Sequence, residues 1–172
     1  MTMAAKTLLI MRHGKAEAPW GQEDRMRQLT EFGREQARRA GEYVQAEGLV
    51  PHAALVSDAV RTRATYAMFS SALGEDAPSA YLDPSLYLTD AAGLIAAINH
   101  VPETVSRLIV VGHMPSVQDA AMRLASIDSD ERAVMDMADH YPPASLCVFR
   151  FDGVWAELDG RDATLEQFVT FR

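Results

Sequence analysis

The stretch that decides the fold is Thr7-Leu8-Leu9-Ile10-Met11-Arg12-His13-Gly14, in which an apolar run ends abruptly in an arginine, a histidine and a glycine. A continuous apolar run of this length is typical of a strand that is covered on both faces of a parallel sheet. We therefore predict a buried strand over residues 7–11, with Arg12 and His13 presented at its carboxyl end.

Short apolar runs alternate with helical patterns along the rest of the chain, which indicates an α/β fold with a mostly parallel sheet. Further strands are predicted over 53–57 and 107–111, and helices over 30–47, over 60–73, from Thr89 or Asp90 to 100, and from Pro115 onward. In the tail, residues 145–151 and 154–158 flank Asp152-Gly153 and are predicted to form a hairpin. The polar segment 128–143 is expected to be surface loop and irregular helix.

Length and charge limit what the chain can be. Its 172 residues correspond to one domain, predicted over 1–172, with a core large enough to need neither a metal nor a disulfide. The formal net charge of −8 argues against a nucleic-acid or anionic-membrane partner, since both attract basic surfaces. The single cysteine, Cys147, fits a reducing compartment, and no apolar run reaches the length of a membrane span. We expect a cytoplasmic monomer.

Polar side chains follow three of the predicted strands. Arg12 and His13 come after the first strand, Ser57 leads to Arg61 after the second, and His113 follows the last. Because ligands of open parallel sheets bind at the carboxyl ends of the strands, we expect these side chains to meet at one edge. One histidine at a strand end is commonly a satisfied core residue, but two histidines and two arginines together favour a binding site.

The chemistry of this set suits a phosphoryl group better than a metal ion. A zinc site needs a further ligand at short spacing, and the sequence has no H-x-H or H-x-x-x-H pair. Arginine matches phosphoryl oxygens bidentately and keeps its charge. A neutral imidazole can attack phosphorus in line when its other ring nitrogen donates to a fixed acceptor such as a backbone carbonyl. We therefore expect no metal and no cofactor.

The residues Leu9-Ile10-Met11-Arg12-His13-Gly14 resemble the signature of the histidine phosphatase superfamily, which has a phosphoglycerate-mutase-like fold. Further matches follow in the family's order and span most of the chain: Leu29-Thr30, Gly33, Gln36-Ala37, Ser57, Arg61, Thr65 and Val111-Gly112-His113-Met114-Pro115. In size and in its Gly-His-x-Pro form, the chain is most similar to the small SixA-type phosphohistidine phosphatases. The resemblance implies a three-layer α/β/α sandwich whose central sheet is mostly parallel with one antiparallel strand.

The resemblance also implies roles for individual residues. His13 is the expected nucleophile that becomes phosphorylated. Arg12, Arg61 and His113 are the expected other members of the phosphate pocket, and Gly14 is expected to contact the substrate beside them.

Several other residues are expected to lie outside the pocket. The family pattern selects Arg61, and residues two apart on a helix point in nearly opposite directions, so Arg63 is expected to be solvated. The remaining histidines lie outside every motif and are expected to be structural or exposed: His52, His100 and His140.

Two loop segments leave their roles open. The loop that holds Asp24, Arg25 and Arg27 can border the pocket, although a solvated loop is the favoured interpretation. Lys15 follows the Arg-His-Gly triplet where many relatives carry an acidic residue, and it either adds a cation near the phosphate or is a solvated charge.

A general acid is missing from the place where the family resemblance predicts one. Many larger members carry a glutamate that protonates the leaving oxygen, and the corresponding stretch 83–90 contains none. An alkoxide leaves slowly without an acid, whereas an imidazole, with a pKa of about 6.5, leaves readily. Asp90 is an alternative proton donor, although a helix cap is favoured for it, and Tyr87 is an outside candidate. The chain is therefore expected to act on a phosphoramidate.

The leading hypothesis is a metal-independent phosphatase that forms phospho-His13 and acts on the phosphohistidine of a partner protein, such as a phosphotransfer domain. No stretch is left over for a lid, which agrees with a pocket open to a folded partner. Two alternatives stay open, a phosphatase of small phosphate monoesters and a phosphoprotein-binding module without turnover. A mutase is the weakest option, because it needs a second substrate pocket and usually the missing acid.

Overall fold

The apolar run at the start of the chain forms strand β1 (Lys6–Arg12), near the centre of a six-stranded sheet. The structure is a computed structural model that describes residues 5–172. Its other strands are β2 (Ala53–Ser57), β3 (Ala80–Asp83), β4 (Arg107–Gly112), β5 (Leu146–Phe151) and β6 (Thr164–Val169). Their order is β3-β2-β4-β1-β5-β6, and β5 alone among these runs opposite to the others, since it pairs antiparallel with both β1 and β6. The predicted mostly parallel sheet with one antiparallel strand is confirmed.

Helices cover both faces of this sheet. They are α1 (Glu31–Ala46), α2 (Val60–Ser71), α3 (Ala91–Asn99), α4 (Ser116–Leu124) and α5 (Glu131–Asp139). Helices α1 and α2 contribute to one apolar core, and α3, α4 and α5 contribute to the core on the opposite face. The fold is therefore the predicted three-layer α/β/α sandwich.

Strand β1 shows why its sequence is apolar at every position. Leu8 and Ile10 lie in the core that α3, α4 and α5 cover, whereas Leu9 and Met11 lie in the core under α1 and α2. All four side chains are fully buried. Because each such side chain contributes about 1.5–3 kcal/mol by leaving water, both faces hold the strand in its register.

Local signals fix where the helices begin. The Thr30 hydroxyl accepts a hydrogen bond from the Gly33 amide at 2.9 Å and caps α1. Asp90 caps α3 in the same way, accepting from the Gly93 amide at 2.8 Å. Each cap stabilises its helix by about 1 kcal/mol. The favoured interpretation of Asp90 as a helix cap therefore agrees with its contact in the structure.

The predicted tail hairpin is wrong in its second half. Residues 154–158 do not pair with β5, and Trp155–Glu157 form a short 3-10 helix instead. The Trp155 ring is fully buried, and its Nε1 donates to the Val105 carbonyl at 2.8 Å, so this segment packs into the core rather than turning back as a strand. The strand that pairs with β5 is β6, further along the chain.

The polar segment 128–143 is more regular than expected. It contains helix α5, capped by Asp130, which accepts from the Ala133 amide at 2.9 Å. Ala133 and Met137 form its buried side, one turn apart. The many exposed acidic residues conceal this short apolar face in the sequence. Strand β3 was also not predicted, because it is a four-residue edge strand with exposed Tyr81 and Leu82.

Candidate active site

Three neighbouring strands bring the predicted polar residues to one edge of the sheet. Strand β4 lies between β1 and β2, and all three run parallel. Arg12 is in register with Gly112, and the His13 amide donates to the Gly112 carbonyl at 3.1 Å. The residue that follows Gly112 is His113, and the two imidazole rings lie with centroids 5.4 Å apart. The sheet register therefore places both histidines at the same level.

His13 is held in one tautomer by the backbone. Its Nδ1 lies 2.6 Å from the Gly14 carbonyl oxygen, and only 8% of the residue surface is exposed. A carbonyl can only accept, so Nδ1 carries the proton and donates it to Gly14. The other ring nitrogen, Nε2, keeps its electron pair and accepts a hydrogen bond from Arg61 Nε at 3.4 Å. A ligand that takes over this donor would free the electron pair of Nε2 for nucleophilic attack.

The Gly14 carbonyl is fixed by close backbone contacts. The Gly14 amide donates to the Thr65 hydroxyl at 3.0 Å. A Cβ atom added at Gly14 would lie 2.5 Å from the Gly33 carbonyl oxygen, and one added at Gly33 would lie 2.1 Å from the Lys15 carbonyl oxygen. Only glycine therefore allows the loop after β1 and the first turn of α1 to approach so closely. This packing sets the position of the acceptor for His13.

Two arginines supply positive charge beside His13. Arg61 lies in the first turn of α2 and is 6% exposed. Its Nη1 donates to the Asp24 carbonyl at 2.7 Å, and its Nη2 donates to Asp24 Oδ2 at 3.0 Å. Arg12 donates from Nη1 to the Tyr141 carbonyl at 2.8 Å. Within residues 5–172, its buried Nε has no hydrogen-bond partner. A buried donor of this kind suits an anionic ligand, since an unmet hydrogen bond is costly.

The second histidine is oriented by a buried serine. His113 Nε2 lies 2.7 Å from Ser57 Oγ, which also lies 3.5 Å from the amide of Ala59. If the hydroxyl accepts from that amide, its own proton is directed to Nε2, and the proton of the imidazole then resides on Nδ1. His113 Nδ1 is buried and unpartnered among the described residues. In that tautomer it is a second donor that suits a phosphoryl oxygen.

Both histidines are uncharged at neutral pH. Burial lowers the pKa of His13 to about 3, and the nearby cationic groups of Arg61 and Arg12 act in the same direction. Burial lowers the pKa of His113 to about 4, again with a contribution from Arg61. A neutral imidazole with guanidiniums nearby suits attack on a phosphoryl group.

Residues 8–86 match the family model of the histidine phosphatase superfamily (branch 1). An uncharacterized protein of Mycobacterium tuberculosis (strain ATCC 25618 / H37Rv) is 35% identical over 159 residues, which cover 92% of this chain and 98% of that protein. The chain belongs to the histidine phosphatase superfamily.

Solved structures of the superfamily share the fold over nearly the whole chain. A candidate phosphohistidine phosphatase SixA from Nakamurella multipartitia superimposes with a TM-score of 0.86 at 25% identity, covering 98% of both chains. The protein histidine phosphatase SixA complexed with tungstate gives a TM-score of 0.76 at 20% identity, covering 95% of this chain and 96% of that one. A mycobacterial glucosyl-3-phosphoglycerate phosphatase gives 0.64 at 17% identity, covering 95% and 98%. The fold is therefore shared by superfamily members with different named substrates.

The loop before α1 lies on the pocket, contrary to its favoured interpretation as a solvated loop. Asp24 contacts Arg61, and the Tyr87 hydroxyl donates to Asp24 Oδ2. The Tyr87 ring lies 5.5 Å from the ring of His113, and the Arg25 guanidinium lies 4.3 Å from the centre of the Tyr87 ring. The sequence signal for this contact is weak, since it consists only of a carboxylate between arginines in an irregular segment.

Several titratable residues of this superfamily member make no hydrogen bond to Arg12, His13, Arg61 or His113 among the described residues. Arg63 and Lys15 are exposed, and so are the three histidines outside the motifs: His52, His100 and His140. Cys147 is fully buried in the core. A cavity of about 630 Å³ between β3 and α3 is lined in part by Tyr81 and His100, and by none of the four pocket residues.

Two further findings concern the described part of the chain, residues 5–172. It contains no group of three or more histidine, cysteine or acidic side chains placed to hold a metal ion. None of its helices combines the length and the apolar character that crossing a bilayer requires.

Proposed function

We propose that this protein is a metal-independent phosphatase that acts through a phosphohistidine intermediate on His13. The observation that carries the proposal is the environment of this ring, whose Nδ1 faces the Gly14 carbonyl at 2.6 Å while Nε2 faces the Arg61 guanidinium. In the first step, Nε2 forms a bond to phosphorus, and the bond from phosphorus to the leaving group breaks with its electron pair. In the second step, water attacks phosphorus, phosphate departs, and His13 regains its electron pair.

The other pocket residues stabilise the transferring group. Arg12 and Arg61 offer guanidinium donors to the equatorial oxygens, and His113 offers its buried Nδ1. These donors are fixed before substrate binds, so little reorganisation is needed as charge moves between the entering and leaving atoms. The Gly14 amide and carbonyl hold the loop on which the nucleophile depends.

The proposed substrate class is phosphohistidine on a partner protein, such as a phosphotransfer domain. Asp90 caps α3 through the Gly93 amide, so one oxygen of its carboxylate is already engaged. Hydrogen bonds from Tyr87, Arg27 and Arg61 hold the pKa of Asp24 well below its usual range, so this carboxyl is ionised and carries no proton to donate. An imidazole leaving group needs an acid less than an alkoxide does, which supports a phosphoramidate substrate.

Exposed apolar side chains beside the pocket support a protein as the partner. Met26 is 54% exposed and follows the pocket loop residues Asp24 and Arg25, and Leu88 is 86% exposed and follows Tyr87. Apolar groups of this kind are suited to contact with a second protein surface.

The deciding experiment is to trap the phosphoenzyme. Incubation with a ³²P-labelled phosphohistidine protein should label the wild-type chain through a bond that is labile to acid and stable to base, as a phosphorus–nitrogen bond is. His13→Asn should abolish both labelling and turnover, and His140→Asn, a change at an exposed histidine, serves as the matched control.

Two outcomes would redirect the assignment. Faster turnover of sugar phosphates than of the phosphohistidine protein would favour a phosphatase of small monoesters. A wild-type chain that binds the phosphoprotein but releases no phosphate from any substrate would favour a binding module without turnover.

A further inference from the structure

Asp24 places a carboxylate at the rim of the phosphate pocket. Its Oδ2 accepts from Arg61 Nη2 at 3.0 Å and from the Tyr87 hydroxyl, and its Oδ1 accepts from Arg27 Nη1 at 3.0 Å. A carboxylate has about four acceptor positions, so these three contacts leave it able to accept another hydrogen bond. The side chain is 48% exposed and therefore accessible to a ligand that enters the pocket.

The Arg61 guanidinium links this carboxylate to the nucleophile. Its Nε faces His13 Nε2, and its Nη2 faces Asp24 Oδ2, so the two acceptors lie on adjacent sides of one planar group. A phosphoryl group that sits on Arg61 in front of His13 would direct its leaving group away from His13 and past the rim. Asp24 would then lie beside the path of the leaving group rather than beneath the phosphoryl group.

Cleavage of a phosphohistidine depends on the protonation of its leaving imidazole. Departure of an imidazole is easy only when its other ring nitrogen carries a proton, because the leaving group is then a neutral imidazole. Without that proton, the bond would have to release the far more basic imidazolate anion. The free imidazole titrates with a pKa of about 6.5, so near neutral pH much of the substrate lacks the proton.

We infer, on the basis of the proposed function, that Asp24 accepts a hydrogen bond from the distal ring N–H of the substrate phosphohistidine and so holds that imidazole in its protonated form. Nε2 of His13 then bonds to phosphorus while the phosphorus–nitrogen bond of the substrate breaks. The released electron pair stays on the substrate nitrogen, and the proton stays on the distal nitrogen. The product is neutral histidine, with no proton transferred in the step.

The ring of His13 is also held with a proton on the nitrogen that does not bond to phosphorus. The Nδ1 proton of His13 is held by the Gly14 carbonyl at 2.6 Å, so phosphorylation of Nε2 produces the cationic form of the ring. Attack by water then releases dihydrogen phosphate and the neutral imidazole. The Gly14 carbonyl therefore holds the proton of the leaving imidazole in the second step, as Asp24 does in the first.

A carboxylate in this role also discriminates between substrate classes. The ionised Asp24 can hold a proton that the substrate already carries, but it has none to give to a departing alkoxide. An anion beside the distal nitrogen raises the pKa of the bound imidazole, which favours the phosphoramidate. Asp24 is therefore a specificity-determining residue that touches the substrate.

The test compares two small substrates with wild-type protein and with Asp24→Asn. N-phosphoimidazole has a distal ring nitrogen that can be protonated. p-Nitrophenyl phosphate has no such nitrogen, and its p-nitrophenolate group leaves without an acid. At pH 8.5 the substitution should lower kcat/KM for N-phosphoimidazole by roughly ten- to a hundredfold. At pH 5.5 the loss should shrink severalfold, because solvent then protonates the substrate. Turnover of p-nitrophenyl phosphate should change by less than about threefold at either pH.

A second carboxylate on the same rim provides the matched control. Asp58 accepts from Arg25 Nε at 3.2 Å and from Arg25 Nη2 at 2.8 Å, and it makes no hydrogen bond to Arg61 among the described residues. Asp58→Asn removes the same charge and should leave the ratio of the two substrates unchanged. Tungstate affinity of each variant reports whether the phosphate pocket itself has been disturbed.

The inference and the proposed function fail in different ways. Equal losses on both substrates with weakened tungstate binding would show that Asp24 only positions Arg61, and would overturn the inference. Unchanged turnover of N-phosphoimidazole in Asp24→Asn would overturn it as well. Wild-type protein that turns over neither substrate would instead refute the proposed function, on which the inference depends.

Discussion

Acidification should destabilise this protein through the two buried pocket histidines. His13 has a pKa of about 3 in the folded chain, against about 6.5 for an unfolded histidine. Between these values the unfolded state binds more protons, so the free energy of unfolding falls as pH falls, by about 1.4 kcal/mol per pH unit. From pH 7 to pH 5 this amounts to about 2 kcal/mol for His13. His113, with a pKa of about 4, contributes a similar loss over the same interval.

Urea unfolding at pH 7 and pH 5 measures this loss, in buffers free of phosphate, sulfate and other oxyanions. The comparison is between wild-type protein and His13→Gln, which removes the titrating group. The carboxylates outside the pocket titrate alike in both chains, so wild-type protein should lose about 2 kcal/mol more than the variant between the two pH values. Equal losses in the two proteins would refute the reasoning, since His13 would then be protonated in the folded chain near its ordinary pKa.

Three further predictions concern residues around the pocket. Arg61→Lys should lower kcat about a hundredfold by losing the fork of donors, whereas Arg63→Lys, the exposed matched control, should change it less than about twofold in the same phosphatase assay. Ser57→Ala should lower kcat roughly tenfold or more with little change in melting temperature, because the tautomer of the second pocket histidine is no longer fixed. Gly33→Ala should lower the free energy of unfolding by about 3 kcal/mol in urea, since its Cβ would lie 2.1 Å from the Lys15 carbonyl oxygen.

The sequence predicts the centre of the fold well because the deciding signals there are local and redundant. An uninterrupted apolar run at β1 is explained only by burial on both faces, and its polar end at Arg12-His13 marks the carboxyl edge. Parallel strands share that edge, so the approach of His13 and His113 follows from topology without any knowledge of the loops. The caps at Thr30 and Asp90 are equally local, since each joins residues three apart.

The sequence predicts poorly where structure depends on distant contacts. The second strand of the predicted tail hairpin does not form at Trp155, because its ring is buried in the core and its Nε1 donates to the carbonyl of Val105, 50 residues away. Asp24 reaches Arg61 across 37 positions, and Tyr87 reaches Asp24 across 63. Such contacts depend on the path of irregular segments, for which no periodic pattern exists. The rim of the pocket is therefore the part that sequence patterns describe least.

The charges assembled in the pocket favour one ionic form of substrate. With both histidines neutral, the guanidiniums of Arg12 and Arg61 supply positive charge near His13, and the carboxylate of Asp24 lies on Arg61 at the exposed rim. A phosphoryl dianion joined to a protonated imidazole would place its negative charge on the guanidiniums and its positive charge beside Asp24. The dianion of an alkyl phosphate has no positive charge to place there. Removing the Asp24 charge should therefore narrow the preference between the two classes mainly by weakening binding of the zwitterion, because solvent at the exposed rim screens the effect of this charge on a dianion.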